Sequence, residues 1–161
     1  MKTLLVVYHS NTGGTRQMAE AAARAAAGEG RVVLRHAAEA APEDVLAADG
    51  YLFASPETLA AISGPMKAFF DRCYYPVLGR IEGRPYALLV CAGSDGQNAI
   101  RQMRRIATGW RLRAIAAPIL VCTRAQTPEA ILAPKTIPAS ELVRCEELGA
   151  AFAAGLAMGI Y

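Results

Sequence analysis

The chain has few of the residues that metal sites require. It contains only two histidines, His9 and His36, and its four cysteines are scattered without a CxxC pair. A histidine-rich metal site is therefore not expected. Isolated cysteines of this kind are usually small buried hydrophobic residues in a reducing compartment, and we interpret all four in that way.

Long apolar runs and a strong charge imbalance are also missing. No run reaches the roughly 18 apolar residues of a membrane span. The N-terminus leads into an apolar segment without the basic and apolar stretches of a signal peptide, so we expect a cytoplasmic protein without a membrane span. The net charge is +3, from 17 Lys+Arg and 14 Asp+Glu, which is too mild and too evenly spread to favour nucleic acid.

One local excess of positive charge stands out against this even distribution. Its members are Arg101, Arg104, Arg105, Arg111 and Arg113. The cluster has two interpretations: a solvated helix face that continues into a sheet edge, or a docking site for an anionic partner.

Apolar runs alternate with helix-like segments along the whole chain, and 161 residues fit a single domain, 1–161. The runs that predict strands are 4–8, 31–37, 51–55, 86–92 and 116–122. The segments that predict helices are about 14–27, 43–48, 64–74, 96–108 and 140–158. This alternation predicts an α/β fold with a doubly wound, five-stranded parallel sheet. The polar composition of 31–37 suits an edge strand.

The stretch 8–15, YHSNTGGT, connects the first predicted strand to the first predicted helix. Free N–H groups of a first helical turn and the helix dipole favour an anion at such a junction. Ser10, Thr12 and Thr15 add hydroxyl donors, and no Lys or Arg occurs before Arg16. Uncharged donors suit one terminal phosphate ester. A triphosphate with Mg²⁺ would call for the GxxxxGKS/T pattern, which is absent.

Two further strand ends carry similar small and polar residues. The third predicted strand continues into SPETLAAISGP at 55–65, and the fourth into GSDGQN at 93–98. Ligands of open α/β sheets bind beyond the carboxyl ends of the strands, so the three loops are expected to line one site.

These motifs resemble those of the flavodoxin-like FMN-binding superfamily, and the similarity covers nearly the whole chain. YHSNTGGT is similar to the S/T-x-T-G-x-T phosphate loop. SPETLAAISGPMKAFFDR at 55–72 is similar to the SP-x-Y-x-G-x-x-S-x-x-M-K-x-F-x-DR segment of the NAD(P)H-dependent FMN and quinone reductase branch. CAGSDGQ is a looser match to the third flavin loop of that branch. The resemblance implies sheet order 2-1-3-4-5 and non-covalently bound FMN.

The resemblance also implies site residues. The phosphate would be held by Ser10, Asn11, Thr12, Gly13, Gly14 and Thr15. The isoalloxazine would be lined by Pro56, Glu57, Thr58, Leu59 and Ala60, and its other edge covered by Ala92, Gly93, Ser94, Gly96 and Gln97. Two residues depart from the pattern, since Thr58 replaces an aromatic and Ala60 a glycine. The ring would then lie more open, or be covered by Tyr74, Tyr75, Trp110 or a residue of another subunit.

Two side chains near these loops keep two interpretations each. His9 either donates to the phosphate or acts as an acid near the flavin, or it is a loop histidine oriented by a backbone carbonyl. Glu57 either accepts from the flavin N3–H or contacts substrate, or it is a solvated carboxylate. Asp95 is expected to cap the following helix.

The resemblance implies an oxidoreductase that moves reducing equivalents from NAD(P)H through FMN to a quinone, a flavin or a similar acceptor, with no metal and no dedicated protein acid or base. The arginine cluster could then contact the 2′-phosphate of NADPH. The alternatives are a flavodoxin-type electron carrier and an FMN-binding regulatory module. A small-molecule or protein acceptor and a homo-oligomer are expected. The proline-rich stretch 123–139 is expected over the ligand cleft or at a subunit contact.

Overall fold

A single sheet organises the protein, whose computed structural model describes residues 1–161. The strands are β1 (Thr3–Tyr8), β2 (Arg31–His36), β3 (Gly50–Thr58), β4 (Ala61–Ile62), β5 (Pro85–Ala92), β6 (Arg113–Ala114) and β7 (Ile119–Cys122). The helices are α1 (Gly14–Ala26), α2 (Pro42–Ala47), α3 (Gly64–Val77), α4 (Gln97–Gly109), α5 (Pro128–Leu132) and α6 (Ala139–Ala157).

Parallel pairing joins the main strands in the order β2-β1-β3-β5, and the fifth position is divided between β6 and β7. This is the predicted order 2-1-3-4-5 of an α/β, flavodoxin-like sheet. The strand predicted as an edge, β2, does lie at one edge. Only β4 is antiparallel, and it forms a short hairpin with β3.

Both faces of the sheet are buried, which explains why the central strands are continuously apolar. In β1, Leu5 and Val7 contribute to the core beneath α2, α3 and α4, whereas Leu4 and Val6 contribute to the core beneath α1 and α6. Side chains alternate between faces along a strand, so an apolar residue is needed at every position.

Alanine and glycine let α1 and α6 approach each other closely. A Cβ placed on Gly149 of α6 would lie 2.1 Å from the carbonyl oxygen of Ala22 in α1. The alanine-rich composition of α1 therefore reflects tight helix packing as well as helix propensity.

Two features of the sheet differ from expectation. The fifth strand was predicted over 116–122, but β7 begins at Ile119, directly after Pro118, and β6 pairs separately with the start of β5. Proline donates no backbone N–H to a neighbouring strand, which accounts for the late start. The third strand runs past 55 to Thr58 and turns into β4.

No helix is both long enough and apolar enough to cross a lipid bilayer.

Candidate functional site

A cleft of about 360 Å³ opens at the carboxyl ends of β1, β3 and β5. Its lining residues are Ser10, Asn11, Thr12, Gly14, Thr15, Pro56, Glu57, Thr58, Leu59, Cys91, Ala92, Gly93, Thr123, Ala125, Ile131 and Lys135. The three predicted strand-end loops thus meet in one cleft, and residues of the 123–137 segment complete it.

The beginning of α1 forms one end of the cleft with unused hydrogen-bond donors. Gly13 adopts φ +94° before the helix, and its N–H donates to Ser10 Oγ at 3.1 Å. The next two N–H groups, of Gly14 and Thr15, donate to no protein acceptor. The Thr15 hydroxyl is also buried and has no partner. Buried polar groups are normally hydrogen-bonded, so this end of the cleft is suited to an anionic acceptor.

The hairpin of β3 and β4 forms a side wall with an unusual turn. Leu59 and Ala60 adopt φ +50° and +61°, a left-handed conformation that non-glycine residues seldom take. The turn is held to α4 by two hydrogen bonds, from Asn98 Nδ2 to the Ala60 carbonyl at 2.6 Å and from the Ile62 N–H to Gln102 Oε1 at 2.8 Å. Leu59 remains 96% exposed at the rim of the cleft.

Glu57 connects this wall to the third loop. Its Oε2 accepts the Gly96 N–H, directly before α4. Neither interpretation of Glu57 from sequence foresaw this bond, which leaves the other carboxylate oxygen available to a ligand. Asp95 accepts the Gln97 N–H, the first N–H of α4, at 3.2 Å, but the residue in the N-cap position is Gly96.

Gln17 fastens the 123–137 segment across the cleft. Its Nε2 donates to the Lys135 carbonyl at 2.7 Å, and its Oε1 accepts the Ile137 N–H at 3.0 Å. The Lys135 N–H donates to the Thr12 carbonyl at 2.9 Å. The stretch 123–139 was expected over the cleft or at a subunit contact, and its residues Thr123, Ala125, Ile131 and Lys135 line the cleft.

Five lining residues were missed by the sequence analysis. Four lie in the 123–137 segment, which bonds to Ala92 at its start and to Gln17, more than a hundred residues away in sequence, near its end, and which carries no local motif. The fifth, Cys91, lies beside the start of α1, where a Cβ on Gly14 would be 2.8 Å from its Sγ. Burial raises the pKa of the Cys91 thiol to about 11, so it is a neutral part of the wall at physiological pH.

Some predicted site residues do not line the cleft. These are Gly13, Ala60, Ser94, Gly96 and Gln97. Gly13 and Ala60 shape the backbone on either side, and the N–H groups of Gly96 and Gln97 are taken by Glu57 and Asp95. These four residues therefore shape the loops around the cleft, and Ser94 is exposed and does not line it.

The aromatic residues proposed as ring covers are also elsewhere. Trp110 is buried in the core beneath α3 and α4, and Tyr74 packs against that core. Tyr75 is exposed on α3 and lines no part of the cleft. The position of the missing aromatic is occupied by Thr58, whose hydroxyl accepts a hydrogen bond from Asn11 Nδ2 at 3.4 Å.

His9 does not line the cleft. Its Nδ1 is 2.9 Å from Ser63 Oγ, and its ring makes an edge contact with His36. Burial, together with the charge of His36, lowers the pKa of His9. His9 is a loop histidine as one interpretation held, but a side-chain hydroxyl orients it and not a backbone carbonyl.

Comparisons with known proteins agree with this architecture. The profile of the family described as NADPH-dependent FMN reductase matches residues 29–127. A protein of Aquifex aeolicus (strain VF5) named flavodoxin is 42% identical over 97 residues, which cover 59% of this chain and 50% of that relative. The match thus spans about half the length of the curated relative.

Two solved structures share the fold at low sequence identity. A flavodoxin, WrbA-like protein from Agrobacterium tumefaciens is 19% identical, with a TM-score of 0.78 over 98% of this chain and 99% of that one. Rubredoxin oxygen:oxidoreductase from Desulfovibrio gigas is 14% identical, with a TM-score of 0.79 over 99% of this chain and 37% of that one.

The fold and the cleft define a flavodoxin-like protein of the FMN-binding superfamily. The chain belongs to the NADPH-dependent FMN reductase family. The family match begins after the 8–15 loop, so the role of that loop rests on its geometry.

Proposed function

We propose that this protein is an FMN-dependent oxidoreductase that takes reducing equivalents from NAD(P)H and passes them to a quinone, a flavin or a similar acceptor. The observation that carries the proposal is the buried, unpartnered hydroxyl of Thr15 beside the free N–H groups of Gly14 and Thr15. A family that binds FMN supplies the ligand whose phosphate would satisfy these donors.

The residues of the cleft fit FMN in size and chemistry. The phosphate would be held by Ser10, Asn11, Thr12, Gly14 and Thr15, with Gly13 setting the backbone. Pro56 to Leu59 would lie along one side of the isoalloxazine, and Ala92 and Gly93 along another, in a cleft of about 360 Å³. Lys135 points its ammonium group at the Ile131 and Ala133 carbonyls, so neutral donors dominate the phosphate end.

FMN would supply the redox chemistry, and this chain would bind, orient and shield it. The Glu57–Gly96 bond fixes two loops relative to each other, and the Gln17 contacts hold the 135–137 backbone against the phosphate end. Leu59 and Ile131 give the opening apolar edges, which would exclude water from part of the ring.

An anaerobic titration tests the enzyme proposal. The FMN-loaded protein is mixed with NADPH, or separately with NADH, while its visible spectrum is recorded. We expect rapid bleaching of the flavin by one of the two nucleotides, followed by recovery on addition of a quinone. Absence of bleaching by either nucleotide contradicts the proposal.

A flavodoxin-type electron carrier is the second candidate, supported by the Aquifex relative named flavodoxin. A carrier would be reduced by light-driven or protein electron donors and would oxidise no pyridine nucleotide. The same titration therefore separates the two functions. A protein that binds FMN only weakly and oxidises no pyridine nucleotide would instead support a regulatory module.

Self-association is a further part of the proposal. Large apolar side chains are exposed away from the cleft at Tyr75, Leu78, Met158 and Ile160. Their burial between subunits would remove apolar area from water. Light scattering during size-exclusion chromatography tests this, and a mass of 17.0 kDa would contradict it.

A further inference from the structure

The exposed face of α4 carries arginines without acidic partners. Arg101, Arg104 and Arg105 recur at helical spacing on one face, and Arg111 and Arg113 continue past the end of the helix to the edge strand β6. All five are exposed, and none forms an ion pair. We call these five residues the arginine face.

Three other helices each pair a cation with an acidic residue of the same helix. Arg16 pairs with Glu20 on α1, Lys67 with Asp71 on α3, and Arg144 with Glu141 on α6. The sequence of α4 contains no aspartate or glutamate at all. The positive charge of α4 therefore has no acidic partner on the helix. Solubility does not require this arrangement, because a surface of mixed charges is equally soluble.

The arginine face begins at the rim of the cleft. Arg101 Nη2 donates to Asn98 Oδ1 at 2.6 Å, and Asn98 Nδ2 donates to the Ala60 carbonyl at 2.6 Å. Ala60 adjoins the exposed Leu59, so one hydrogen-bonded path leads from the charged face to the apolar edge of the opening. From Gln97 to Gly109 the helix extends roughly 20 Å away from the cleft.

We propose that the arginine face docks an acidic protein that exchanges electrons with the cleft. The inference rests on the proposed FMN site. A charged surface beside an exposed apolar edge steers and orients a protein partner of opposite charge. Full reduction of one FMN takes two electrons. Two molecules of a one-electron partner would therefore dock in turn, each would be oxidised by one electron, and the protons would come from water.

Stopped-flow kinetics with an acidic redox protein test the proposal. The probe is reduced plant-type [2Fe–2S] ferredoxin, chosen for an acidic surface and for a potential low enough to reduce FMN. Bound FMN is first verified in every sample by its visible spectrum. We expect the second-order rate constant for flavin bleaching to fall on the order of tenfold from low to physiological salt.

A paired comparison of variants isolates the arginine face. At low salt, Arg104→Gln with Arg105→Gln is expected to slow ferredoxin oxidation roughly threefold to tenfold, with unchanged FMN affinity. The control, Arg31→Gln with Arg80→Gln, removes the same charge from two exposed, unpaired arginines on the opposite edge strand and in the loop before β5. It is expected to react like the wild type.

Equal rates in both double variants, or a wild-type rate that does not depend on salt, would overturn the inference. So would arginine-dependent binding of duplex DNA or anionic vesicles with no effect on the ferredoxin rate. Failure of the wild type to bind FMN would contradict the proposed function itself, and a bound but charge-insensitive FMN would contradict only the docking surface.

Discussion

Glu57 and Gly96 lie 39 residues apart in the sequence, yet one hydrogen bond joins them across the cleft, from the Gly96 N–H to Glu57 Oε2. Position 96 requires glycine, because Gly96 adopts φ +84° and a Cβ there would lie 2.4 Å from Leu120 Cδ1. The carboxylate therefore holds the wall formed by β3 against the loop before α4.

Two substitutions of Glu57 should distinguish the effect of its hydrogen bond to Gly96 from the effect of its negative charge. Glu57→Ala removes the acceptor for a backbone N–H, which should lower the free energy of unfolding of the FMN-free protein by about 1–2 kcal/mol and weaken FMN binding about tenfold. Glu57→Gln keeps a carbonyl acceptor and should bind FMN within a few-fold of the wild type. Urea unfolding and flavin fluorescence titration measure the two effects. Equal damage by both substitutions would show that the charge matters and not the bond.

Gln17 should control the order of the segment over the cleft. Gln17→Ala removes the acceptor of the Ile137 N–H and the donor to the Lys135 carbonyl, so the Ile137 amide proton should exchange with solvent faster. The Lys135 amide, which donates to the Thr12 carbonyl, should also exchange faster as the segment loosens, and FMN affinity should fall about tenfold. Gln126→Ala, at an exposed residue of the same segment, is the matched control. Wild-type protection of both amides in Gln17→Ala would refute this role.

The turn at Leu59 and Ala60 should be improved by glycine. Ala60→Gly relieves the left-handed conformation at φ +61°, and after the entropy of the unfolded glycine is counted it should stabilise the protein by about 0.5–1 kcal/mol. Ala61→Gly in the adjacent strand should instead destabilise it by about 0.5–1 kcal/mol. Chemical denaturation compares both variants with the wild type. A loss of stability in Ala60→Gly would contradict the backbone strain inferred at Ala60.

His9 should make the protein less stable in mild acid. Burial and His36 lower the pKa of His9 from 6.5, so the unfolded chain binds a proton at higher pH than the folded one does. The free energy of unfolding should keep its full value above about pH 6.5. As the pH decreases from there, it should decrease until the pH has passed the pKa of His9 in the folded protein. His9→Asn should lose less stability than the wild type between about pH 7.5 and about pH 5.5 in urea unfolding. An identical loss in both proteins would assign the effect to other groups.

Local sequence patterns predicted most of the fold because both periodicity and composition favoured the same elements. The apolar run from Leu4 to Tyr8 predicted a strand, and the alanine-rich segment of α1 predicted a helix. The Leu59–Ala60 turn was not predicted because neither residue is one that ordinarily adopts positive φ. The surrounding structure imposes that conformation through Asn98 and Gln102.

The candidate site was predicted where it follows from strand ends, and missed where it depends on long-range contacts. The loops at 10–15, 56–59 and 92–93 meet because parallel strands end at the same edge of the sheet. The contacts of Gln17 with 135–137 depend on side-chain geometry between distant segments. No sequence motif marks such contacts, so only the structure shows that Ile131 and Lys135 line the cleft.

The central claim is that uncharged donors at the start of α1 bind the phosphate of FMN. A fluorescence titration of the FMN-free protein with FMN and with riboflavin, which lacks the phosphate, tests it most directly. FMN should bind on the order of a hundredfold more tightly than riboflavin, and Thr15→Val should reduce that preference about tenfold. Equal affinity for the two flavins, or no binding of either, would contradict the claim.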